Sequence, residues 1–387
     1  MNKIYTSDLK PGQIFTEPVY SEGDCMLVPQ MVPLRQKEID LLLSWNIEFV
    51  TTNGEIMEDE TLEEIPEEPP VAKGPLRFSI SDVWQNSGPY RAYKNTIEKL
   101  AGLFTAIKSG ADIEMRSVDT ITSQLLQDLG SYPDNFVDYI LGGEISGQEL
   151  AKSSVNTAIL SAMTAQEMKL PPQKIHNIVA GALLHDVGML RLSKGITEKK
   201  GGLSDAELEQ IKSHPIHTSK IVTKELFGPN EVNLIALQHH ERYDGKGYPD
   251  SLSGQAIDIG ARIVSVADAF EAMVSKKSYR NSLVGYQAVK NLMSDNASRF
   301  DPDVIIAFTK VIGIYPIGSI VRLNDFSVAR VVSLHTEAPL RPIVQLLMDR
   351  KGNVLGSREV VTIDLLAEKK LFIKNAIDPD EFDVANV

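Results

Sequence analysis

The sequence holds a single cysteine, Cys25, in 387 residues. An internal disulfide is therefore excluded, and a lone thiol fits a reducing compartment. Also missing is any uncharged apolar run near the roughly 20 residues that a membrane-spanning helix needs. The opening stretch, Met1-Asn2-Lys3-Ile4-Tyr5-Thr6-Ser7-Asp8, has no apolar core of the kind a secretory signal carries. These absences make a cytoplasmic location the expectation and exclude a membrane partner. Basic charge is short as well, with 39 Lys and Arg against 52 Asp and Glu and a net charge of −13. A general DNA binder needs a basic footprint, so DNA is excluded as a partner. The imbalance is local, because eight acids and no base lie between Glu55 and Glu68. A local basic pocket for a small phosphate ligand stays open. No phosphoacceptor is recognisable, so no input signal is legible.

What is present is ordinary for a soluble globular protein: 43% hydrophobic and 24% charged residues. The length suffices for two or three domains with their own cores. Residues 1–52 read as a small α+β module. Ile39, Leu42 and Leu43 fall at helical spacing within 35–44, and 47–50 alternates like a strand. Residues 53–75 combine like charges with Pro66, Pro69, Pro70 and Pro75, which favours an extended, solvated linker. From 76 to 312 the periodicity is helical. Ile97, Leu100, Ala101, Phe104 and Thr105 share a face, as do Ile175, Ile178, Val179, Ala182 and Leu183. Ser204-Asp205-Ala206-Glu207 has the form of a capping box. Val232, Ile235, Ala236 and His239 lie on one stripe, and Ile259, Ile263, Val266 and Phe270 on another. After Tyr315 the period changes to two. Residues 319–323 and 326–332 read as a hairpin, and 343–348 as a further strand before a turn at 349–353. The fold class expected is mainly α, a helical bundle with a small N-terminal α+β module and a small C-terminal β appendage.

Seven histidines occur, and the chemistry lies in their placement. His185-Asp186, His214 and His239-His240 fall at or near the ends of separate helical segments, and Asp268 follows on the next apolar helix. Helices packed in a bundle can bring such residues to one axis. Asp186 and Asp268 sit in otherwise apolar runs, where a buried carboxylate costs several kcal/mol unless something pairs with it. A cation is the economical partner. Imidazole and carboxylate suit iron, manganese or zinc, and the absence of nearby cysteine excludes a cysteine-type structural zinc site. Paired metals stabilise attacking and leaving oxygens in phosphodiester displacement and lower the pKa of a bridging water. Taken singly, each piece has a plainer reading, such as a helix-end hydrogen bond or a capped aspartate; the joint pattern points to metal. Asp244-Gly-Lys-Gly-Tyr-Pro249 then forms a tight loop suited to holding Tyr248 and Lys246 over the site, although alone it is an ordinary turn.

These residues resemble a known family. His185-Asp186-Val187-Gly188, His239-His240-Glu241-Arg242 through Gly247-Tyr248-Pro249, the segment from Asp268 to Ser275, Tyr279-Arg280 and Phe300-Asp301-Pro302 occur in the order of the HD-GYP signatures. The resemblance spans roughly 146–312, and the tail from Tyr315, residues 313–387, is similar to an extension found on many members. It implies an HD-type helical bundle that hydrolyses cyclic-di-GMP to pGpG, GMP or both, using a metal-activated water and two or three iron or manganese ions. By position, His185, Asp186, His214, His239, His240 and Asp268 would be metal ligands, with Asp186 bridging as the catalytic carboxylate. Glu149 occupies the place of a ligand in trinuclear members. Tyr248, Lys246 and Lys277 would meet the nucleotide. Diguanylate cyclases (GGDEF proteins) and other signalling proteins are the implied partners, and residues 76–145 are the expected homodimer contact. The sequence departs from the family in three places. Ser153 stands where the first histidine ligand is expected, Met189 replaces a phosphate-binding lysine, and Lys277 replaces an arginine, which is not equivalent at a bidentate contact. One ion then keeps His185, Asp186 and Asp268 with waters, and the other keeps His214, His239 and His240. Lys194 or Lys246 are candidates to replace the missing lysine. The alternative is a catalytically weakened domain acting as a cyclic-di-GMP sensor or interaction module.

Overall fold

The computed structural model describes residues 2–21, 25–44, 47–58, 88–132, 136–142, 148–197, 199, 201–275, 285–294, 298–335, 337–355 and 361–377. Lys277, Tyr279, Arg280 and positions 59–75 of the acidic segment lie outside them. The chain forms two compact units, one of Met1–Phe78, Val284–Ser294 and Ile312–Val387, the other of Ser79–Leu283 and Asp295–Val311.

The first unit joins the two ends of the chain. Its N-terminal part carries β1 (Asn2–Tyr5), β2 (Gln13–Phe15), β3 (Val19–Ser21), β4 (Cys25–Val28), helix α1 (Gln36–Ser44), β5 (Phe49–Thr52) and β6 (Ile56–Glu58). Strands order as β1-β5-β3-β4 in one sheet, while β2 pairs β6 in another. In α1, Ile39 and Leu42 are buried as their spacing predicts, but Leu43 is exposed. A strand within 56–58 was not expected, since the linker reading begins at 53. Ile56 and Met57 are both exposed, so β6 is held by backbone pairing to β2 rather than by an apolar face. The C-terminal part adds β7 (Ile320–Leu323), β8 (Val328–Ser333), β9 (Ile343–Met348), β10 (Thr362–Asp364) and β11 (Ile373–Ile377), ordered β10-β9-β8-β7-β11. The β7–β8 hairpin and β9 fall where period-two alternation places them. Buried Arg341 donates from Nη1 to the Leu371 carbonyl at 2.8 Å, and Arg35, paired with Glu38, stacks over Phe372 at 4.3 Å. Charged side chains of α1 and backbone carbonyls of the tail thus share one core.

The second unit is helical. It contains α2 (Gly88–Ser109), α3 (Met115–Ser131), α4 (Phe136–Gly142), α5 (Glu149–Glu167), α6 (Pro172–Leu184), a 3-10 turn (Val187–Arg191), α7 (Lys194–Thr197), α8 (Asp205–Lys212), α9 (His214–Lys220) running into a π turn (Ile221–Glu225), α10 (Asn230–Gln238) and α11 (Ile259–Val274). Two further helices follow, α12 (Gly285–Ser294), which belongs to the first unit, and α13 (Pro302–Ile312). Ile97, Leu100 and Phe104 are buried in α2, with Tyr93, Leu103 and Ile107 completing the face. The capping box is present: Ser204 N donates to Glu207 Oε2 at 2.7 Å and Glu207 N to Ser204 Oγ at 3.3 Å. Helix α5 lies centrally, against α6 and α11. Among the described residues no helix is long and apolar enough to cross a membrane.

One polar junction fixes α5 to α11. Glu271 is buried, and its carboxyl accepts from Ser153 Oγ (2.6 Å), Asn156 Nδ2 (3.2 Å) and Ser275 Oγ (2.5 Å). Asn156 in turn accepts from the buried Tyr93 hydroxyl at 2.7 Å, which brings α2 into the network. Removing the acceptor strands buried donors, at roughly 1–3 kcal/mol for each. Glu271→Ala is expected to destabilise the bundle by about 3 kcal/mol, read as a fall in the thermal midpoint of roughly 6–12 °C. A midpoint within a degree of wild type would show that the junction carries no such energy.

Candidate metal centre

Each histidine of the cluster is set by a helix end. His185 is the C-terminal cap of α6, His214 the first residue of α9, and His239 the C-terminal cap of α10. Asp268 differs from the expectation of helix ends, since it lies well inside α11. Three rings share one local device: Nδ1 donates to the carbonyl three residues earlier. The distances are 2.7 Å for His185 to Ala182, 2.7 Å for His214 to Ile211 and 2.8 Å for His239 to Ala236. The bond places the hydrogen on Nδ1 and leaves the Nε2 lone pair to face the bundle interior.

Those lone pairs converge. The ligand atoms of Asp186, His214, His239 and His240 all lie within 4.8 Å of one another. His214 Nε2 is 3.3 Å from His239 Nε2 and 3.0 Å from Asp186 Oδ1. Asp186 Oδ2 faces the other way, 3.5 Å from His185 Nε2, which is also 3.5 Å from Asp268 Oδ1. His185 Nε2 is fully buried and has no hydrogen-bond partner. Two imidazole lone pairs facing each other at 3.3 Å, beside an orphaned third, repel unless a cation lies among them. The residues therefore fit a divalent metal ion, held by nitrogen and carboxylate donors.

The electrostatics follow from this crowding. Burial pushes His239 well below the usual histidine range and His240 down to about 3, assisted by the charges of neighbouring histidines. His185 moves the other way, up to about 9: burial lowers it, but the Asp186 and Asp268 carboxylates outweigh burial. Burial raises Asp186 and Asp268 too, yet the imidazoles beside them hold both below the usual carboxylate range. A field that favours positive charge at Nε2 of His185 favours a metal cation there as well.

Glycines permit the approach of the segments. A Cβ on Gly188 would lie 2.2 Å from the His214 carbonyl oxygen and 2.6 Å from the Thr218 nitrogen. Only a bare backbone lets the His185-Asp186 turn dock on the helix of His214. Thr218 Oγ1 locks that contact, donating to the His185 carbonyl at 3.0 Å and accepting from Gly188 N at 2.9 Å. Gly247 has the same use, as its Cβ would fall 2.3 Å from Arg242 N. The loop that follows is cradled by buried Glu241, whose carboxyl accepts from Asp250 N (2.6 Å) and Leu252 N (3.0 Å). Tyr248 is thereby stacked on His240, with ring centroids 4.8 Å apart. Burial raises its hydroxyl above the usual tyrosine range, helped by Asp186 and Asp268, so it stays protonated as a donor.

Of the expected site residues, the structure brings together His185, Asp186, His214, His239, His240, Asp268 and Tyr248. Lys246 is exposed on the loop, its backbone N bonded to Asp244 Oδ1 at 3.1 Å. Glu149 begins α5, is exposed, and is not in the four-residue group. Ser153 turns its hydroxyl to Glu271. Met189 is half-buried in the 3-10 turn. The residue missed from sequence is Arg299, whose charge acts on both His240 and Tyr248. Its signal was its place beside Phe300-Asp301-Pro302, the segment that was noticed.

A helical bundle with histidines and aspartates gathered at its centre defines the class of HD-domain metalloproteins. The family model described as HD domain matches residues 144–304, and one described as KOW domain associated with HD domain matches 320–385. A protein named Cyclic di-GMP phosphodiesterase PdeB, from Borreliella burgdorferi, is 26% identical over 364 residues, covering 94% of this chain and 92% of that protein. A cyclic di-GMP phosphodiesterase of Pseudomonas aeruginosa is 26% identical over 264 residues, covering 68% of this chain and 63% of its own length. The cyclic di-GMP phosphodiesterase response regulator RpfG of Xanthomonas campestris is 34% identical over 152 residues, covering 39% and 40% respectively. The chain thus spans nearly all of one relative and less than two thirds of the other two. With its signatures in order, the HD-domain match and these relatives support an HD-GYP assignment for residues 144–304.

Gly188→Ala is expected to destabilise the bundle by at least about 2 kcal/mol, because the clash is with backbone. Gly195→Ala is the control, since nothing lies within 4 Å of its Cβ. Thermal unfolding of both variants checks this; equal midpoints would contradict the close-approach argument.

Proposed function

We propose that the chain is a metal-dependent phosphodiesterase that hydrolyses cyclic-di-GMP to pGpG, GMP or both. The observation that carries this reading is the division of Asp186: Oδ1 faces His214 and Oδ2 faces His185. One carboxylate thus faces two neighbouring donor sets, and would be available to both if each held an ion. His185 and Asp268 complete one set; His214, His239 and His240 complete the other. The mixed imidazole and carboxylate donors suit iron or manganese, and exposed Glu149 gives no reason to count a third ion. Relatives named as cyclic di-GMP phosphodiesterases support turnover rather than sensing alone.

When bound, the ions supply Lewis-acid stabilisation of the phosphoryl oxygens and a nucleophile at neutral pH. The chain's own residues do the rest. The Nδ1–carbonyl bonds hold three imidazoles in one tautomer and orientation. Helix packing keeps bulk water from His185 and His239, which are fully buried. Tyr248, kept protonated and stacked on His240, donates to a phosphate oxygen or packs against a base. On this reading 146–312 is the catalytic domain, 76–145 the helical region that mediates a homodimer, 1–52 a non-catalytic module followed by the acidic linker of 53–75, and 313–387 the C-terminal β appendage and tail. Diguanylate cyclases and other signalling proteins are the expected partners. The lone Cys25 supports a cytoplasmic place of action.

The test is hydrolysis of cyclic-di-GMP by purified protein loaded with iron or manganese, with products separated chromatographically. Asp186→Asn is expected to lose at least about 100-fold in turnover, with less bound metal and an unchanged helical spectrum. Absence of hydrolysis by the metal-loaded wild type would falsify the proposal.

A further inference from the structure

Beside the histidine and aspartate cluster stands a cation with no anion among the described residues. Arg299 is half-buried, and its Nε is buried with no hydrogen-bond partner. Among the described residues it makes no ion pair, although carboxylates are close. Each of those is already committed. Asp244 binds Arg242 in a fork, at 3.0 Å to Nε and 2.7 Å to Nη2. Asp301 is buried and paired with Arg262 of α11. Asp268 faces His185 at 3.5 Å. A guanidinium partly withdrawn from water, with its buried Nε unsatisfied, costs stability, and an arriving anion would reduce that cost.

The position of Arg299 is built rather than incidental. Its carbonyl accepts from Tyr243 N at 2.8 Å, which ties it to the loop bearing Tyr248. Ser298 Oγ reaches Asp244 Oδ2 at 3.5 Å on the same loop. On the other side, Phe300 is buried and Asp301 anchors the segment to the helix of Asp268. The guanidinium carbon stands 4.9 Å from the Phe300 ring centroid, a cation–π contact that helps to fix its place. Burial lowers Arg299, and so does Arg242, while Asp268, Tyr248 and Asp244 act to raise it, which fits a group facing the cluster. Arginine's planar fork matches two phosphate oxygens at once.

We propose that Arg299 receives the substrate's phosphate at this centre. The proposal rests on the phosphodiesterase reading and names the residue that holds the scissile group's charge. Lys246, exposed on the loop, is then dispensable for this contact.

The test uses the full-length, manganese-loaded protein and its Arg299→Gln and Arg299→Lys variants. Bound metal is measured, with the calorimetric affinity for inorganic phosphate and for cyclic-di-GMP. Arg299→Gln is expected to bind both ligands at least about tenfold more weakly, with metal content unchanged. Arg299→Lys is expected to keep part of the affinity, as a point charge without the fork. Wild-type affinity in Arg299→Gln overturns the assignment. So does equal loss in both variants, or loss of metal or fold from Arg299→Gln, because the residue then supports the cluster rather than the phosphate. A wild type that binds phosphate through Arg299 but leaves cyclic-di-GMP intact overturns the proposed activity and keeps this inference. One that holds metal but binds neither ligand overturns both.

Discussion

Carboxylates and imidazoles packed into the centre of an apolar bundle impose one condition on everything around them: positive charge must be present. His185 has no water to turn to, and its Nε2 meets only Asp186 and Asp268, each 3.5 Å away. His214 and His239 present nitrogens to each other at 3.3 Å. No rearrangement of rotamers relieves this, because each Nδ1 is bound to its own helix. A cation that resolved the repulsion would also join chain segments that meet here, at the ends of α6 and α10, the start of α9 and the body of α11. Metal affinity and bundle stability are therefore linked, and ion binding adds to the stability of the native state.

The surrounding polar groups divide the work. Gly188 and Thr218 bring two of the segments into contact, and Glu241 folds the loop that sets Tyr248 against His240. Glu271 fixes α5 to α11 through Ser153, Asn156 and Ser275. That last junction explains how the bundle accommodates serine at 153. A serine cannot replace an imidazole as a ligand, but its hydroxyl satisfies a buried carboxyl three residues beyond Asp268. The helix bearing Asp268 is thus positioned by protein hydrogen bonds as well as by metal.

Much of this was legible before any coordinates. Helix periodicity located α2, α6, α10 and α11, because their apolar stripes recur over several turns. The β7–β8 hairpin and β9 were legible because period-two alternation there coincides with burial, as at Val321, Leu323, Val328 and Val331. Strand β6 was not, because backbone pairing leaves no hydrophobic pattern. The clustering of His185, Asp186, His214, His239, His240 and Asp268 was legible through a physical oddity, aspartates inside apolar runs. The role of Glu271 was not, because a buried carboxyl satisfied by serine and asparagine reads along the chain like any helical glutamate. Nor does sequence tell that the two ends of the chain share one unit, which depends on contacts such as Arg35 with Phe372 across most of the chain's length.

Arginine 299 shows why local pattern stops short of chemistry. In sequence it is one of many basic residues on an acidic chain. Its meaning comes from subtraction in space: Asp244 belongs to Arg242, Asp301 to Arg262, and Asp268 to His185. What remains is a packed guanidinium whose neighbours already have partners, beside imidazoles that call for a metal. An acidic protein that must receive a polyanion cannot rely on its overall field, which repels it. Under the proposed function it needs positive charge concentrated where the phosphates would sit, and bound metal ions together with Arg299, unpaired among the described residues, would meet that need without changing the sign of the whole surface.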